Sequence, residues 1–272
     1  MCATCGCSEG AKVSLESGAA TDVHVHDHVH GHDHDHDHHD HHHVHAAPRT
    51  ETVSLEAAVL QKNDMLAERN RAWLAGRNIL ALNLVSSPGS GKTALLERTI
   101  RDVGKRRTIA VIEGDQRTSR DAERIRATGA ASVQVNTGTG CHLEADMVWQ
   151  ALKALRPMPD SVVMIENVGN LVCPALFDLG EAAKVAVLSV TEGEDKPLKY
   201  PHMFQAARLV LVNKIDLLPH LDVSLERCLG FAREVNPDAE LLPLSVKTGE
   251  GLERWYAWLE AEMARVGERT FA

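Results

Sequence analysis

The sequence predicts an α/β fold, three layers around a mainly parallel sheet, preceded by a disordered metal-binding N-terminal tail. Three observations carry this reading. Apolar strands alternate with helical patterns from residue 78 onward, and a glycine-rich turn, Ser86 to Thr93, joins the first such strand to the first such helix. Between Val23 and Ala46, histidine recurs at least every second residue.

The tail spans 1–48. It holds His24, His26, His28, His30, His32, His34, His36, His38, His39, His41, His42, His43 and His45, with Asp27, Asp33, Asp35, Asp37 and Asp40 between them. Neutral imidazole is a preferred ligand of zinc, copper and nickel, and a run with almost no large apolar side chain cannot offset the entropy of ordering its backbone. The tract therefore reads as an unstructured sponge for several ions. An expression tag is the competing origin, against which stand the internal position, the aspartates, and Val25, Val29 and Val44. An ordinary solvated acidic tail gives no reason to select histidine so exclusively. Ahead of the tract, Cys2, Cys5 and Cys7 put three thiols within six positions. Thiolates suit soft or borderline ions, and a backbone nitrogen or the terminal amine could complete a planar nickel site as well as a tetrahedral zinc site.

A chain of 272 residues with 44% hydrophobic content has room for one large domain besides the tail. The net charge of −9 leaves no basic footprint, so neither nucleic acid nor an anionic membrane is an expected partner. No stretch reaches the length of a membrane-spanning helix, and the N-terminus lacks the basic start and apolar core of a signal peptide. Membrane insertion is not expected, and the expected location is cytoplasmic. Cysteines there stay reduced, so all six read as thiols and not as a disulfide framework.

Residues 49–77 form an amphipathic helical segment expected to pack on the following domain. Leu55, Val59, Leu66, Trp73 and Leu74 recur at roughly helical spacing, and Gly76 stops the run. The domain proper spans 78–272. Strands are expected at Ile79 to Val85, Thr108 to Ile112, Ser132 to Val135, Val162 to Ile165, Val185 to Val190, Leu209 to Val212 and Leu241 to Ser245. Helices fit at Lys92 to Val103, Ser119 to Thr128, Leu143 to Leu155, Leu225 to Val235 and Leu252 to Val266. Continuous Val/Ile/Leu strands imply a sheet covered on both faces, with ligands at the strands' carboxyl ends.

Ser86-Ser87-Pro88-Gly89-Ser90-Gly91-Lys92-Thr93-Ala94 is a phosphate loop, making the domain a three-layer P-loop NTPase. Backbone N–H groups from Gly89 to Thr93 can surround the β-phosphate where glycine permits close approach, and the helix N-terminus adds its dipole. Lys92 would reach the β and γ phosphates and Thr93 would hold Mg²⁺. Ser86 departs from the usual first glycine of the motif. After a later strand, Asn213-Lys214-Ile215-Asp216 selects the base. An ionised carboxylate only accepts hydrogen bonds, so Asp216 matches the N1–H and 2-amino group of guanine and not adenine. Asn213 would meet the major-groove edge, Lys214 would pack over the ring, and Ser245, Val246 and Lys247 fit the loop that closes over it.

Two acidic segments lie where Mg²⁺ and switch groups belong, Glu113 to Ala122 and Glu166 to Gly169. Asp115 and Glu166 each end an apolar strand and are the favoured Mg²⁺ ligands or water-orienting groups. Asp121 reads equally as one of these or as a charge that stabilises a helix N-terminus. Gly169 would let the second switch approach the γ-phosphate. Cys141-His142 follows the glycine-rich Asn136 to Gly140 and Cys173 lies just beyond Glu166 to Gly169, yet by spacing alone they are weak evidence for a metal site, and burial of cysteine as a small apolar residue stands beside it. Cys228 reads as core, and Leu217, Leu218 and Leu221 as either core or a dimer patch.

Taken together, Cys2-x-x-Cys5-Gly-Cys7, the histidine tract, Ser87 to Thr93, Glu113-Gly-Asp-Gln116, Gly140-Cys-His-Leu143, Glu166 to Pro174 and Asn213-Lys-Ile-Asp216 closely resemble the hydrogenase maturation family of nickel-incorporation GTPases, HypB. The resemblance covers essentially the whole chain. It implies GTP hydrolysis to GDP with Mg²⁺, a high-affinity Ni²⁺ site at the terminal cysteines, and a second site for Zn²⁺ or Ni²⁺ formed by Cys141, His142 and Cys173 at a GTP-promoted homodimer interface. It makes Ser86 ordinary, because the family looks the same there. It also implies two partners, a small nickel-binding chaperone and the large subunit of a nickel-iron hydrogenase. A GTPase for another nickel enzyme, such as a urease, shares the phosphate loop and a histidine-rich terminus, and the cysteine cluster with Cys141-His142 argues for hydrogenase. A nickel storage protein with a regulatory nucleotide domain is the alternative of a different class.

Overall fold

The computed structural model describes residues 12–14, 49–115, 120–138 and 140–270, so the terminal cysteines and the histidine tract lie outside the described residues. In chain order the elements are β1 (Lys12–Ser14), α1 (Arg49–Ala75), β2 (Leu80–Ser86), α2 (Lys92–Val103), β3 (Ile109–Asp115), α3 (Arg120–Arg126), β4 (Ala131–Asn136), α4 (Ala145–Leu155), β5 (Val162–Glu166), α5 (Cys173–Leu176), β6 (Ala183–Ser189), α6 (Lys196–Lys199), α7 (Pro201–Ala206), β7 (Leu209–Asn213), α8 (Leu225–Val235), β8 (Glu240–Pro243) and α9 (Leu252–Thr270). The sheet runs β1-β4-β3-β5-β2-β6-β7-β8. All neighbouring pairs are parallel except β1 with β4.

The seven expected strands are β2 to β8, and the five expected helices of the domain are α2, α3, α4, α8 and α9. Their side chains alternate between the two faces, as the pleat requires. Leu80, Leu82 and Leu84 of β2 join Leu95, Leu96, Trp255 and Leu259 beneath α2 and α9. Ala81 faces the opposite layer with Leu74, Val148 and Leu152, while Val85 joins Phe204, Val210 and Cys228. Cys228 is thus core, and Leu217, Leu218 and Leu221 pack partly buried against that third cluster.

Four elements had no periodicity to reveal them. The antiparallel strand β1, three residues long, lies within the segment expected to lack regular structure. Helices α5, α6 and α7 run four to six residues, each with proline in its first turn. Proline is preorganised for that position, but pieces this short cannot display a helical repeat.

Helix α1, Arg49–Ala75, falls within the expected segment 49–77, but its buried stripe differs from the apolar one read in the sequence. Among its described side chains the buried positions are Asn63, Ala67, Asn70 and Leu74, while Val59 is 46% exposed. The helix is docked by carboxamides. Asn63 donates to the Asp178 carbonyl at 2.7 Å and accepts from the Ala145 amide at 2.9 Å, while Asn70 donates to the carbonyls of Ala145 at 2.7 Å and Leu179 at 3.0 Å. Arg71 donates to the Glu181 carbonyl at 2.9 Å and pairs with Asp178. Buried polar groups need such partners, so this interface is specified by hydrogen bonds as much as by apolar area. Among the described residues, no helix is long and apolar enough to cross a membrane.

Candidate functional site: a phosphate cleft beside a thiol and imidazole cluster

Strand β2 lies between β5 and β6, and the chain leaves it first towards β3 on one side and later returns to β6 on the other. That reversal opens a crevice at the carboxyl end of β2. A cleft of about 480 Å³ occupies it, lined by Pro88, Gly89, Gly91, Lys92, Thr93, Ala94, Glu113, Gly114, Asp115, Asp121, Arg124, Glu166, Asn167, Val168 and Gly169. Such a volume suits a small-molecule ligand.

The floor is the loop between β2 and α2. Gly89 and Gly91 have φ of 76° and 102°. A Cβ on Gly91 would meet Asn213 Nδ2 at 2.5 Å, so this position must be glycine for both conformation and space. The Ser90 hydroxyl donates to the Ser87 carbonyl at 2.8 Å, closing the turn. The Lys92 ammonium, only 7% exposed, donates to Ser86 Oγ at 2.7 Å. Ser86 thus gives the buried cation a polar partner that glycine would not. Burial holds the Lys92 pKa below its usual range, and the carboxylates of Glu166, Asp121 and Glu192 oppose that shift.

Facing the loop are the carboxyls that end β3 and β5. Glu113 and Glu166 are register partners across those strands. Thr93 Oγ1 donates to Glu166 Oε1 at 2.7 Å, but Glu166 Oε2 and Glu113 Oε2 are buried with no hydrogen-bond partner. Burial and then the charges of Glu166, Asp121 and Asp115 push the Glu113 carboxyl up to about 8. Burial likewise raises Glu166, against the pull of Lys92 and the Thr93 hydrogen bond. Two buried carboxyls with orphaned oxygens beside a threonine hydroxyl are a donor set that fits a hard divalent cation. Asp115 and Asp121 also line the cleft, with Asp121 Oδ1 accepting from Arg124 Nη1 at 3.2 Å. Glu113 was not among the residues favoured from the sequence. The strand was expected to stop at Ile112, whereas β3 runs to Asp115, and period-two alternation then carries Glu113 and Asp115 on the same face.

The residues expected to select the base stand at the end of β7, and two of them bind the phosphate loop directly. Asn213 Nδ2 donates to the Ser90 carbonyl at 2.9 Å, and its Oδ1 accepts from the amides of Lys214 at 2.7 Å and Val246 at 3.2 Å. Lys214, left-handed at φ 64°, donates from Nζ to the Gly89 carbonyl at 2.7 Å. The Ser245 hydroxyl donates to Asp216 Oδ1 at 2.6 Å. That bond fixes the carboxylate and leaves its other oxygen to accept from a ligand. Lys247 is exposed on the same loop.

The three donors beyond the acidic segments converge. Cys141 Sγ stands 2.8 Å from Cys173 Sγ and 3.6 Å from His142 Nδ1, and ligand atoms of all three lie within 4.8 Å of one another. Tetrahedral donors about 2.0 to 2.3 Å from an ion stand roughly 3.3 to 3.8 Å apart, so the set fits one ion after the thiols part slightly. Burial brings the His142 pKa down to about 4, keeping the ring neutral and its lone pair available near pH 7. Phe177 packs on the imidazole with ring centres 3.9 Å apart, and Glu144 Oε1 lies 3.9 Å from the buried Nε2. Cys2, Cys5, Cys7 and the thirteen histidines from His24 to His45 lie outside the described residues.

The cleft and the cluster are adjoining. The segment from Glu166 to Cys173 leaves the phosphate side, passes Pro88 at Gly169, where a Cβ would meet Pro88 at 3.1 Å, and ends at the second thiol. Asn170 Nδ2 donates to the Cys141 carbonyl at 3.3 Å along the way.

Residues 80–243 match the family model described as CobW/HypB/UreG, nucleotide-binding domain. The chain is 59% identical over 214 residues to the hydrogenase maturation factor HypB of Azotobacter vinelandii, covering 79% of this chain and 71% of that one. Identity to the HypB of Escherichia coli (strain K12) is 59% over 210 residues, covering 77% of this chain and 72% of the other. The crystal structure of HypB from Archaeoglobus fulgidus superposes with a TM-score of 0.71 at 38% identity, over 75% of this chain and 99% of that one. That of HypB from Helicobacter pylori in complex with nickel gives 0.70 at 38% identity, over 75% and 96%. With a phosphate loop, a guanine-type motif and a thiol-imidazole cluster in this spatial order, the chain belongs to the HypB hydrogenase maturation factors of the CobW/HypB/UreG family.

Proposed function

We propose that this HypB chain is a cytoplasmic GTP-hydrolysing nickel metallochaperone, which stores nickel and delivers it to the large subunit of a nickel-iron hydrogenase together with a small nickel-binding chaperone. One observation carries the reading: a single segment begins at Glu166 in the phosphate cleft and reaches Cys173 in the thiol-imidazole cluster. A ligand that pulls on one end strains the other.

The phosphate-loop amides cradle the β-phosphate and Lys92 transfers its hydrogen bond from Ser86 to the phosphates. Thr93, Asp115 and Glu166 hold Mg²⁺, with Glu113 close behind, and the ion when bound neutralises charge on the phosphate oxygens. Asp115, Asp121 or Glu166 orients the attacking water. Chemistry is slow, because Arg124, the one arginine among the described residues that lines the cleft, is held by Glu97 at 2.9 Å and by Asp121. Cys141, His142 and Cys173 take Ni²⁺ or Zn²⁺ as cargo, neutral imidazole and thiolate being suited to both. The GTP-bound state is a homodimer, a reading supported by Val172 and Leu176, each 55% exposed beside Cys173. The terminal cysteines and the histidine tract supply capacity, with Cys2, Cys5 and Cys7 the tightest nickel site.

A test separates sponge from engine. Deleting residues 24–45 is expected to remove most of the nickel equivalents bound at saturation while GTP turnover changes by less than about twofold, as independent sites should. Nickel equivalents are counted by equilibrium dialysis and turnover by phosphate release. Hydrolysis that collapses with the tract contradicts a separable store.

A further inference from the structure

Three backbone and side-chain contacts pass through one buried carboxamide that no role above uses. Asn167 follows Glu166 directly and is 1% exposed. Its Oδ1 accepts from the Val168 amide at 3.0 Å, on the segment that passes the phosphate loop, and from the Leu143 amide at 3.2 Å, the residue after Cys141-His142. Its Nδ2 donates to Asn83 Oδ1 at 3.1 Å, and Asn83 in turn donates to Glu181 Oε1 at 3.0 Å. Each group in this chain is oriented by the next. Asn167 is therefore locked, with its single acceptor shared between the cleft wall and the metal-binding loop.

A second contact binds the same loop to the other carboxyl-bearing strand. Gly114, between Glu113 and Asp115, has no side chain where the Leu143 side chain packs, and a Cβ there would meet Leu143 atoms at 2.8 to 2.9 Å. Leu143 is fully buried. The loop that carries Cys141 and His142 is thus held by β5 through the Asn167 carboxamide and by β3 through Gly114. Any displacement of Glu166 or Asp115 towards a nucleotide-bound cation reaches it through one bond and one packing contact.

We infer that Asn167 is a positioning residue that couples the nucleotide cleft to the Cys141, His142 and Cys173 site, setting how far metal affinity there follows the bound nucleotide. The inference deepens the function proposed above and rests on its nucleotide-sensitive metal site. Reciprocal coupling requires an element that both sites bias, and packed interiors shift between discrete arrangements. A carboxamide that must release or keep the Leu143 amide when Val168 moves is such an element.

The test uses the full chain with zinc alone as probe. Alkylation of Cys141 and Cys173, resolved peptide by peptide by mass spectrometry across buffered free zinc, reports this site apart from the tail. In the parent chain the zinc midpoint is expected to differ at least about fivefold between GDP and a nonhydrolysable GTP analogue, the low end of ordinary coupling. In Asn167→Ala the two midpoints should fall within about twofold of each other. A variant that keeps the parental ratio overturns the inference. A parental ratio of one removes the nucleotide-sensitive site itself, and Asn167's role with it, which is a distinguishable result.

Asn167→Ala leaves two buried amides without an acceptor, so the variant can lose its fold. Amide hydrogen exchange on the parent chain then decides. Exchange at Leu143 and Val168 is expected to change together between the two nucleotide states. A Leu143 amide that exchanges identically in both contradicts the coupling.

Discussion

Lys92→Ala is expected to lower GTP turnover by on the order of 10³-fold, the scale found for removing a donor aimed at developing transition-state charge, and to abolish hydrogenase maturation with it. The ammonium is buried against Ser86 Oγ at 2.7 Å and is the one cation within the phosphate loop. The loop itself survives its removal. Ser86 Oγ still donates to the Ser87 carbonyl at 2.6 Å, and the Ser90 hydroxyl still closes the turn at 2.8 Å. The deficit should thus appear in catalysis and not in unfolding, measured as phosphate release at saturating GTP and as hydrogenase activity in cells supplied only with the variant. Turnover lost with maturation intact would show that nickel handling does not need hydrolysis, and would favour a storage protein with a regulatory nucleotide domain.

Asp216→Asn should cost at least about 100-fold in GTP affinity, about 2.7 kcal/mol, and shift preference towards xanthosine triphosphate. The carboxylate is held by the Ser245 hydroxyl at 2.6 Å and so presents a fixed acceptor to N1–H and the 2-amino group. An amide at that position offers a donor, which suits the 2-oxo group of xanthine and leaves guanine's amino group facing another donor. The neighbouring contacts do not depend on this carboxylate, because Asn213 binds the Ser90 carbonyl and Lys214 the Gly89 carbonyl. Competition binding of the two triphosphates reads the shift, and unchanged GTP affinity would refute the assignment of the base.

Most of the domain was legible because its signals are periodic or local. Strands buried on both faces read as apolar runs, and Ser86 to Thr93 marks the strand-loop-helix turn of a nucleotide-binding domain by residue order alone. The failures have physical causes. The inner stripe of α1 mixes Asn63 and Asn70 with Ala67 and Leu74, so a search for apolar spacing favours exposed Val59 over buried asparagine. Glu113 is not favoured from the sequence because the apolar run stops at Ile112, whereas β3 continues through Glu113 to Asp115. The grouping of Cys141, His142 and Cys173 was expected only through the family resemblance, because their convergence depends on how β4 and β5 are ordered about β3, a property of topology that sequence separation does not carry. Asn167 gave no signal, because a carboxamide that satisfies three partners looks like any loop asparagine until those partners are placed.

In the proposed function the nucleotide governs the grip on metal. Metal content and molecular mass in solution, determined on the reduced full chain with GDP and with a nonhydrolysable GTP analogue, test it most directly. The expected result is a doubling of mass with the analogue, accompanied by a change in the zinc or nickel retained at Cys141, His142 and Cys173. A chain of one mass holding the same metal equally tightly in both states would contradict it.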